Sequence, residues 1–347
     1  MAQADRWAED RKPKLVSLAL QGGGSHGAFA WGVLDRLLED DSLSIEGIVG
    51  TSAGAMNAVV TASGLAEDGN AGARRALKNF WQTVAERGTC SPLQPSWFDQ
   101  MVSPGSMDYS PGWQMIDLLS RVWSPYQMNP ANFHPLREIL SEQIDFEKLR
   151  RAAHVKLFVC ASNVSTNRLR VFSREEMSVD AVLASACLPS MFQAIEIDGE
   201  YYWDGGYMGN PPIFPLIYEC ASPDVILIMI NPIVIDDVPK TAQAIIDRIN
   251  TLSFNSSLMR EMRAIAFVSA LVDKGFDDNG RLRKMFIHCI EAEDQMRHLG
   301  VSSKLNVKWD FLMWLFELGR RRGDAFLNEH SSEIGKQSSV DIERRFL

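Results

Sequence analysis

The run "GIVGTSAG", Gly47 to Gly54, sets Ser52 between Gly50 and Gly54 in a Gly-x-Ser-x-Gly spacing. An apolar stretch precedes it, and a helical pattern rich in small residues follows. That is the pattern of a nucleophile elbow: the serine sits in a strained strand-to-helix turn where neighbouring side chains would crowd the backbone. Its Oγ then projects beyond the strand end, over a helix N-terminus whose dipole favours developing negative charge. The spacing also occurs in turns with no chemistry, so its meaning depends on context.

Upstream, "LALQGGGSHGAF" carries Gly22, Gly23, Gly24 and Gly27 between a strand pattern and a helix pattern. An oxyanion hole needs backbone N–H groups aimed at one point with no Cβ in the way, and three consecutive glycines supply that. If the two strands are neighbours, both turns emerge at the same edge of the sheet, where α/β sites form. The same loop satisfies G-x-G-x-x-G, the dinucleotide fingerprint. That fingerprint expects an acidic residue closing the second strand, but "VGTSAG" stands there and Glu46 precedes the apolar part. No P-loop spacing is present.

A serine nucleophile needs a base. In a Ser–acid–His order, His288, His298 and His330 come late enough, but His288 lies in a strand-like run and the other two at helix ends. His134 and His154 precede the candidate acid, and His26 sits in the glycine loop itself. Asp204, in "YYWDGGYMGNPP", is the stronger candidate. Gly205 and Gly206 let its turn approach another loop closely, although Asp-Gly is also an ordinary hairpin turn.

These residues need a scaffold. "KLVSLAL" and "SIEGIVG" read as strands, each followed by a helix, and this alternation implies a parallel sheet with helices on its faces. Residues 71–87 read as a further amphipathic helix. "HVKLFVCASNV" and "RLRVFS" read as a strand and its hairpin partner, "SVDAVLASACL" as a helix, "DVILIMINP" as a buried strand and "RKMFIHCIEA" as an edge or final strand. Long helices are expected near 241–272 and 309–330. After the 71–87 helix, Cys90 to about Asn132 is rich in Pro, Trp, Tyr, Met and Ser and reads as an irregular excursion: a packed surface loop, or a lid or acyl-chain wall. The expected class is α/β, with a central, mainly parallel sheet flanked by helices.

The 347 residues carry a net charge of −9. An acidic chain whose basic clusters, near Arg281 and Arg320, lack interleaved aromatics is a poor nucleic-acid binder. The five cysteines (Cys90, Cys160, Cys187, Cys220 and Cys289) are scattered without CxxC spacing, which argues against zinc or a disulfide framework and fits a reducing compartment. No signal peptide or membrane-spanning run is evident, so a cytoplasmic location is expected.

Taken in order, "LALQGGGSHGAF", "GIVGTSAGAMNA", "ASACLPSMF" and "YYWDGGYMGNPP" resemble the patatin-like phospholipases. "FNSSLMREMRAI" and "SSKLNVKWDFLMWLFELGR" extend the resemblance over nearly the whole chain. It implies a three-layer α/β/α fold and a Ser–Asp dyad without histidine, with Ser52 as nucleophile and Asp204 as general base. It assigns the oxyanion donors to the amides of Gly22, Gly23 and Gly24, with Gly50, Gly54, Gly205 and Gly206 supporting the motifs. No metal or other cofactor is implied. The family's glycine loop often carries Arg or Lys where this chain has His26. One domain is expected over 13–330, between tails 1–12 and 331–347.

The expected function is hydrolysis of fatty-acyl esters of (phospho)lipids through an acyl-enzyme, with transient contact at a membrane surface. Aspartate at its ordinary pKa of ~3.9 is a weak base for an alcohol, so proton transfer has to run together with attack. Two other readings stay open: hydrolysis of another ester, such as a storage polyester or thioester, and a nucleotide- or ligand-binding module that uses Gly22–Gly27 without turnover.

Overall fold

The computed structural model describes residues 13–347; the expected tail at 1–12 lies outside the described residues. The strands are β1 (Lys14–Leu20), β2 (Leu43–Gly50), β3 (Lys156–Asn163), β4 (Leu169–Ser173), β5 (Ile195–Ile197), β6 (Glu200–Asp204), β7 (Asp224–Ile228) and β8 (Phe286–Ile290). They form one sheet in the order β5-β6-β3-β2-β1-β7-β8, with β4 paired to β3. From β3 through β2, β1 and β7 to β8 the pairing is parallel, and β4, β5 and β6 add an antiparallel end. The central strands are continuously apolar because both of their faces are covered. Leu18 and Leu20 point into one core cluster and Ala19 into the other.

The main helices are α1 (Gly27–Glu39), α2 (Ala53–Gly88), α3 (Val179–Ser185), α4 (Ala242–Asp273) and α5 (Trp309–His330). Helices α1, α2 and α5 bury their apolar faces on one side of the sheet. Leu258, Met262 and Ile265 of α4 cover the other side. The result is the expected α/β architecture with three layers. Non-helical backbone at Asp68 and Gly69 divides α2, so the helix expected over 71–87 is its second half. Helices α1 and α5 cross so closely that a Cβ at Gly319 would stand 2.9 Å from Val33 N and 3.0 Å from Gly32 Cα. Arg320, in one of the basic clusters, pairs with Asp35 and Glu39 on α1.

The excursion is more ordered than its composition suggests. Short helices run over Trp97–Val102, Pro111–Ser120 and Pro125–Met128. Ser96, Ser110 and Ser124 are their N-caps, and Pro111 and Pro125 occupy first-turn positions, where proline's missing N–H costs nothing. Ser110-Pro111 and Ser124-Pro125 each start a helix. The segment 331–347, expected as a tail, packs against the body: Ile334 and Phe346 are buried in the two cores. Among the described residues no helix is long and apolar enough to cross a membrane.

Candidate active site

β2 ends at Gly50, and α2 begins at Ala53. Ser52 lies between them with φ 55° and ψ −122°, a conformation that a residue with a Cβ adopts only under constraint. The constraints are visible. Thr51 donates its N–H to Leu20 O at 3.3 Å and its hydroxyl to Gly209 O at 2.7 Å. The Ser52 N–H donates to the Ser185 hydroxyl, at the end of α3, at 2.9 Å. A Cβ at Gly54 would stand 2.7 Å from Gln21 O, so the helix start is pressed onto the end of β1.

The glycine loop is pressed onto the same turn: a Cβ at Gly22 would come within 2.6 Å of Ser52 Cβ. Side chains from distant segments fix its first peptides. Gln21 Oε1 accepts from the Ile230 and Asn231 N–H groups at 2.9 and 3.0 Å. Gly22 donates its N–H to Asn210 Oδ1 at 2.6 Å, and its carbonyl accepts from Asn231 Nδ2 at 2.6 Å. The Gly22 amide is therefore engaged, and the expectation of three free donors narrows to Gly23 and Gly24. Neither of those N–H groups has an acceptor among the described residues. His26 is buried, contacts Ser303 Oγ through Nε2 at 2.8 Å, and burial, aided by nearby Lys304, drives its pKa down to about 3. It is a neutral packing residue rather than a loop cation.

Strand β3 brings Asp204 to Ser52. It pairs in register with β2 up to Gly50↔Val159, then with β6 from Ala161↔Asp204. The elbow and the aspartate thus meet the same strand two positions apart, about 7 Å along it. The Asp198-Gly199 pair makes the β5–β6 hairpin turn, with φ 53° and 79°. Asp204-Gly205 instead ends β6 and enters a short turn beside the elbow. Asp204 is fully buried; its Oδ1 accepts from the Gly206 N–H at 2.7 Å, and its N–H donates to Cys187 O at 2.8 Å. Burial lifts its pKa to about 7, against the opposing pull of the Gly206 N–H, the Ser52 hydroxyl and Lys304. The Ser52 hydroxyl is near enough to favour the carboxylate, yet Oδ2 has no partner in full hydrogen-bond geometry. An acceptor lobe therefore remains open beside the serine.

No histidine hydrogen-bonds Ser52 among the described residues. His288 is bound to Asp224 Oδ1 at 3.0 Å within the sheet, His134 stacks on Phe192, and His330 meets Glu333. Nor do any three of His, Cys, Asp and Glu gather into a group that could hold a metal ion, among the described residues. The excursion reaches the segment leading to β5, through Gln193 Nε2 to Asn129 O at 2.7 Å and the Ala194 N–H to the Tyr126 hydroxyl at 3.3 Å. Sequence reasoning assigned no role to Ser185, Asn210, Asn231 or Lys304.

The sequence pattern of a family described as patatin-like phospholipase matches residues 18–217. Among solved structures, VipD from Legionella pneumophila is similar at 16% identity, covering 88% of this chain and 67% of that one, with a TM-score of 0.37. ExoU, a type III effector, is similar at 14% identity over 92% of this chain, with a TM-score of 0.35; the chain spans about half of ExoU's length, 53%. ExoU in its complex with SpcU from Pseudomonas aeruginosa is similar at 17% identity, covering 71% of this chain and 50% of that one, with a TM-score of 0.32. No curated protein matches by sequence. The family match spans more than half of the chain and takes in the glycine loop, the elbow and the Asp204 turn together. On that match this protein belongs to the patatin-like phospholipases and is a lipid acyl hydrolase.

Proposed function

We propose that the protein cleaves fatty-acyl esters of lipids through a Ser52–Asp204 dyad. The observation that carries this reading is the meeting of a conformationally constrained serine with a buried carboxyl whose pKa is lifted to about 7. A base is most useful when its pKa lies near the working pH, and burial brings Asp204 far closer to that than an ordinary aspartate. The Ser52 proton passes to Asp204 as Oγ bonds to the ester carbonyl carbon. The carbonyl π electrons move onto oxygen, which takes hydrogen bonds from the Gly23 and Gly24 N–H groups. Loss of one such donor typically costs about 10²–10³ in rate. Collapse of the tetrahedral species breaks the bond to the leaving alkoxide, which takes the proton from Asp204. Water then attacks the acyl-Ser52 ester, passes a proton to Asp204, and releases the fatty acid with Ser52 reprotonated.

The remaining parts support this assignment. Ser185 holds the Ser52 backbone, and Asn210 and Asn231 hold the Gly22 peptide on both sides, so the two following amides stay free. The excursion exposes Trp97, Met101, Leu118, Val122, Trp123 and Phe133. Joined to the segment before β5, it offers apolar surface for a lipid aggregate or an acyl chain. Residues 13–330 form the acyl-hydrolase domain, with 331–347 packed onto it. Purified Ser52→Ala and Asp204→Asn variants, assayed by fatty-acid release from a lipid panel, should each lose activity while keeping the wild-type circular dichroism. Activity within tenfold of wild type in either variant would end the dyad assignment.

A further inference from the structure

The glycine loop lacks a charged residue of its own, since His26 is buried and neutral. A cation nevertheless stands beside it. Residues 303 and 304, in the turn Val301–Leu305, dock onto the loop: the Ser25 hydroxyl donates to Ser303 O at 2.7 Å, and His26 meets the Ser303 hydroxyl. A Cβ at Gly24 would stand 3.2 Å from Lys304 Cβ. Lys304 Nζ donates to Asn231 Oδ1 at 2.7 Å, and Asn231 in turn holds the Gly22 carbonyl. No other acceptor and no ion-pair partner is bonded to that ammonium among the described residues, so its remaining N–H donors are unclaimed.

Withdrawing a cation from water without an ion-pair partner is costly, and such groups concentrate at functional sites. Burial lowers the Lys304 pKa to about 8, while the fields of Asp247 and Asp204 act to raise it, so the ammonium stays mostly charged at neutral pH. Lys304 is half-buried beside the loop, so part of its side chain meets solvent.

We propose that Lys304 binds the phosphate of an acyl glycerophospholipid whose ester carbonyl lies at the Gly23 and Gly24 amides. In such a lipid the ester and the phosphodiester are only a few bonds apart, matching a cation seated on the loop that holds the ester. The inference rests on the acyl-hydrolase reading above and narrows its substrate to phosphate-bearing lipids. A lysine that merely braced Asn231 would serve charged and neutral esters alike, and this separates the two roles.

The test compares Lys304→Met and Lys304→Arg with wild type on a short-chain phosphatidylcholine and a neutral monoacylglycerol of equal chain length. A hydrogen bond to a charged group predicts that the ratio of kcat/KM for the two substrates falls about 10- to 100-fold in Lys304→Met, mainly through KM. Lys304→Arg should keep the ratio within about threefold of wild type. A Lys304→Met ratio within about twofold of wild type would overturn the proposal. A second arm needs no turnover. In Ser52→Ala protein, calorimetry should show a non-hydrolysable ether phosphocholine lipid binding at least tenfold more tightly than when Lys304→Met is added; equal binding overturns the assignment. Inorganic phosphate is the third probe: binding tighter than that of the ether lipid would mean a free-ion site and overturn the lipid assignment. If Ser52→Ala still hydrolyses lipid, the dyad fails, while the binding arm continues to read Lys304.

Discussion

Replacing Asp204 by asparagine separates what the carboxylate does for chemistry from what it costs the fold. The side chain is fully buried, and its pKa rises from 3.8 to about 7. A carboxyl with a raised folded-state pKa keeps its proton in the folded protein after the unfolded chain has lost it. Stability from this group is therefore greatest below about pH 4 and is lost as pH rises towards 7. At ~1.4 kcal/mol per pKa unit, the interval from 3.8 to about 7 corresponds to about 4 kcal/mol. Asparagine keeps the shape and still accepts the Gly206 N–H through its carbonyl, but it carries no charge. Relief of part of this cost predicts a gain of roughly 1–3 kcal/mol for Asp204→Asn at pH 8, about 2–10 °C in Tm for a chain of this size. The gain should shrink as pH falls and be nearly gone at about pH 4, where the unfolded chain also begins to take up the proton. The assay is thermal and urea unfolding of both proteins from pH 4 to 8, beside ester hydrolysis on the same samples. A variant less stable than wild type at pH 8, or a difference that does not change with pH, would refute the reasoning.

The other expectations follow from the same geometry. Wild-type kcat/KM on a soluble ester should fall about tenfold per pH unit below an apparent pKa near 7, since the base must be ionised; a plateau continuing down to about pH 5 would contradict this. Ser185→Ala leaves the buried Ser52 N–H without its acceptor, which costs about 1–3 kcal/mol and should lower kcat about tenfold or more with little change in KM, measured by steady-state kinetics. Asn210→Ala frees the Gly22 N–H and loosens the loop, and is expected to lower kcat by about 10²-fold; a rate within twofold of wild type would mean the loop holds its form without Asn210.

Much of the site could be read from the chain because glycine spacing reports backbone contacts. Gly22 and Gly54 mark places where a Cβ would strike another segment, and each of those segments proves to be the other's turn. Strands β1, β2, β7 and β8 announce themselves as apolar runs. What the sequence did not disclose depends on long-range placement. Ser185, Asn210, Asn231 and Lys304 are ordinary polar residues in short stretches, and only the assembled fold brings Ser185 to the elbow and the other three to the glycine loop. The pKa of Asp204 was misjudged for the same reason: burial, which lifts it, is a property of the assembled layers. In the excursion, a composition rich in Pro and Ser reads as irregular, although a serine cap and a first-turn proline also start helices, as at Ser110-Pro111 and Ser124-Pro125.

The dyad itself is tested most directly by locating a covalent adduct. A fluorophosphonate ester reacts with an activated serine and forms a phosphonyl–oxygen bond as fluoride leaves. Peptide mass spectrometry should place the adduct on Ser52 of the wild-type protein, with labelling lost in Ser52→Ala and strongly slowed in Asp204→Asn. An adduct on another serine, or an unlabelled protein that still releases fatty acid from lipid, would contradict the account.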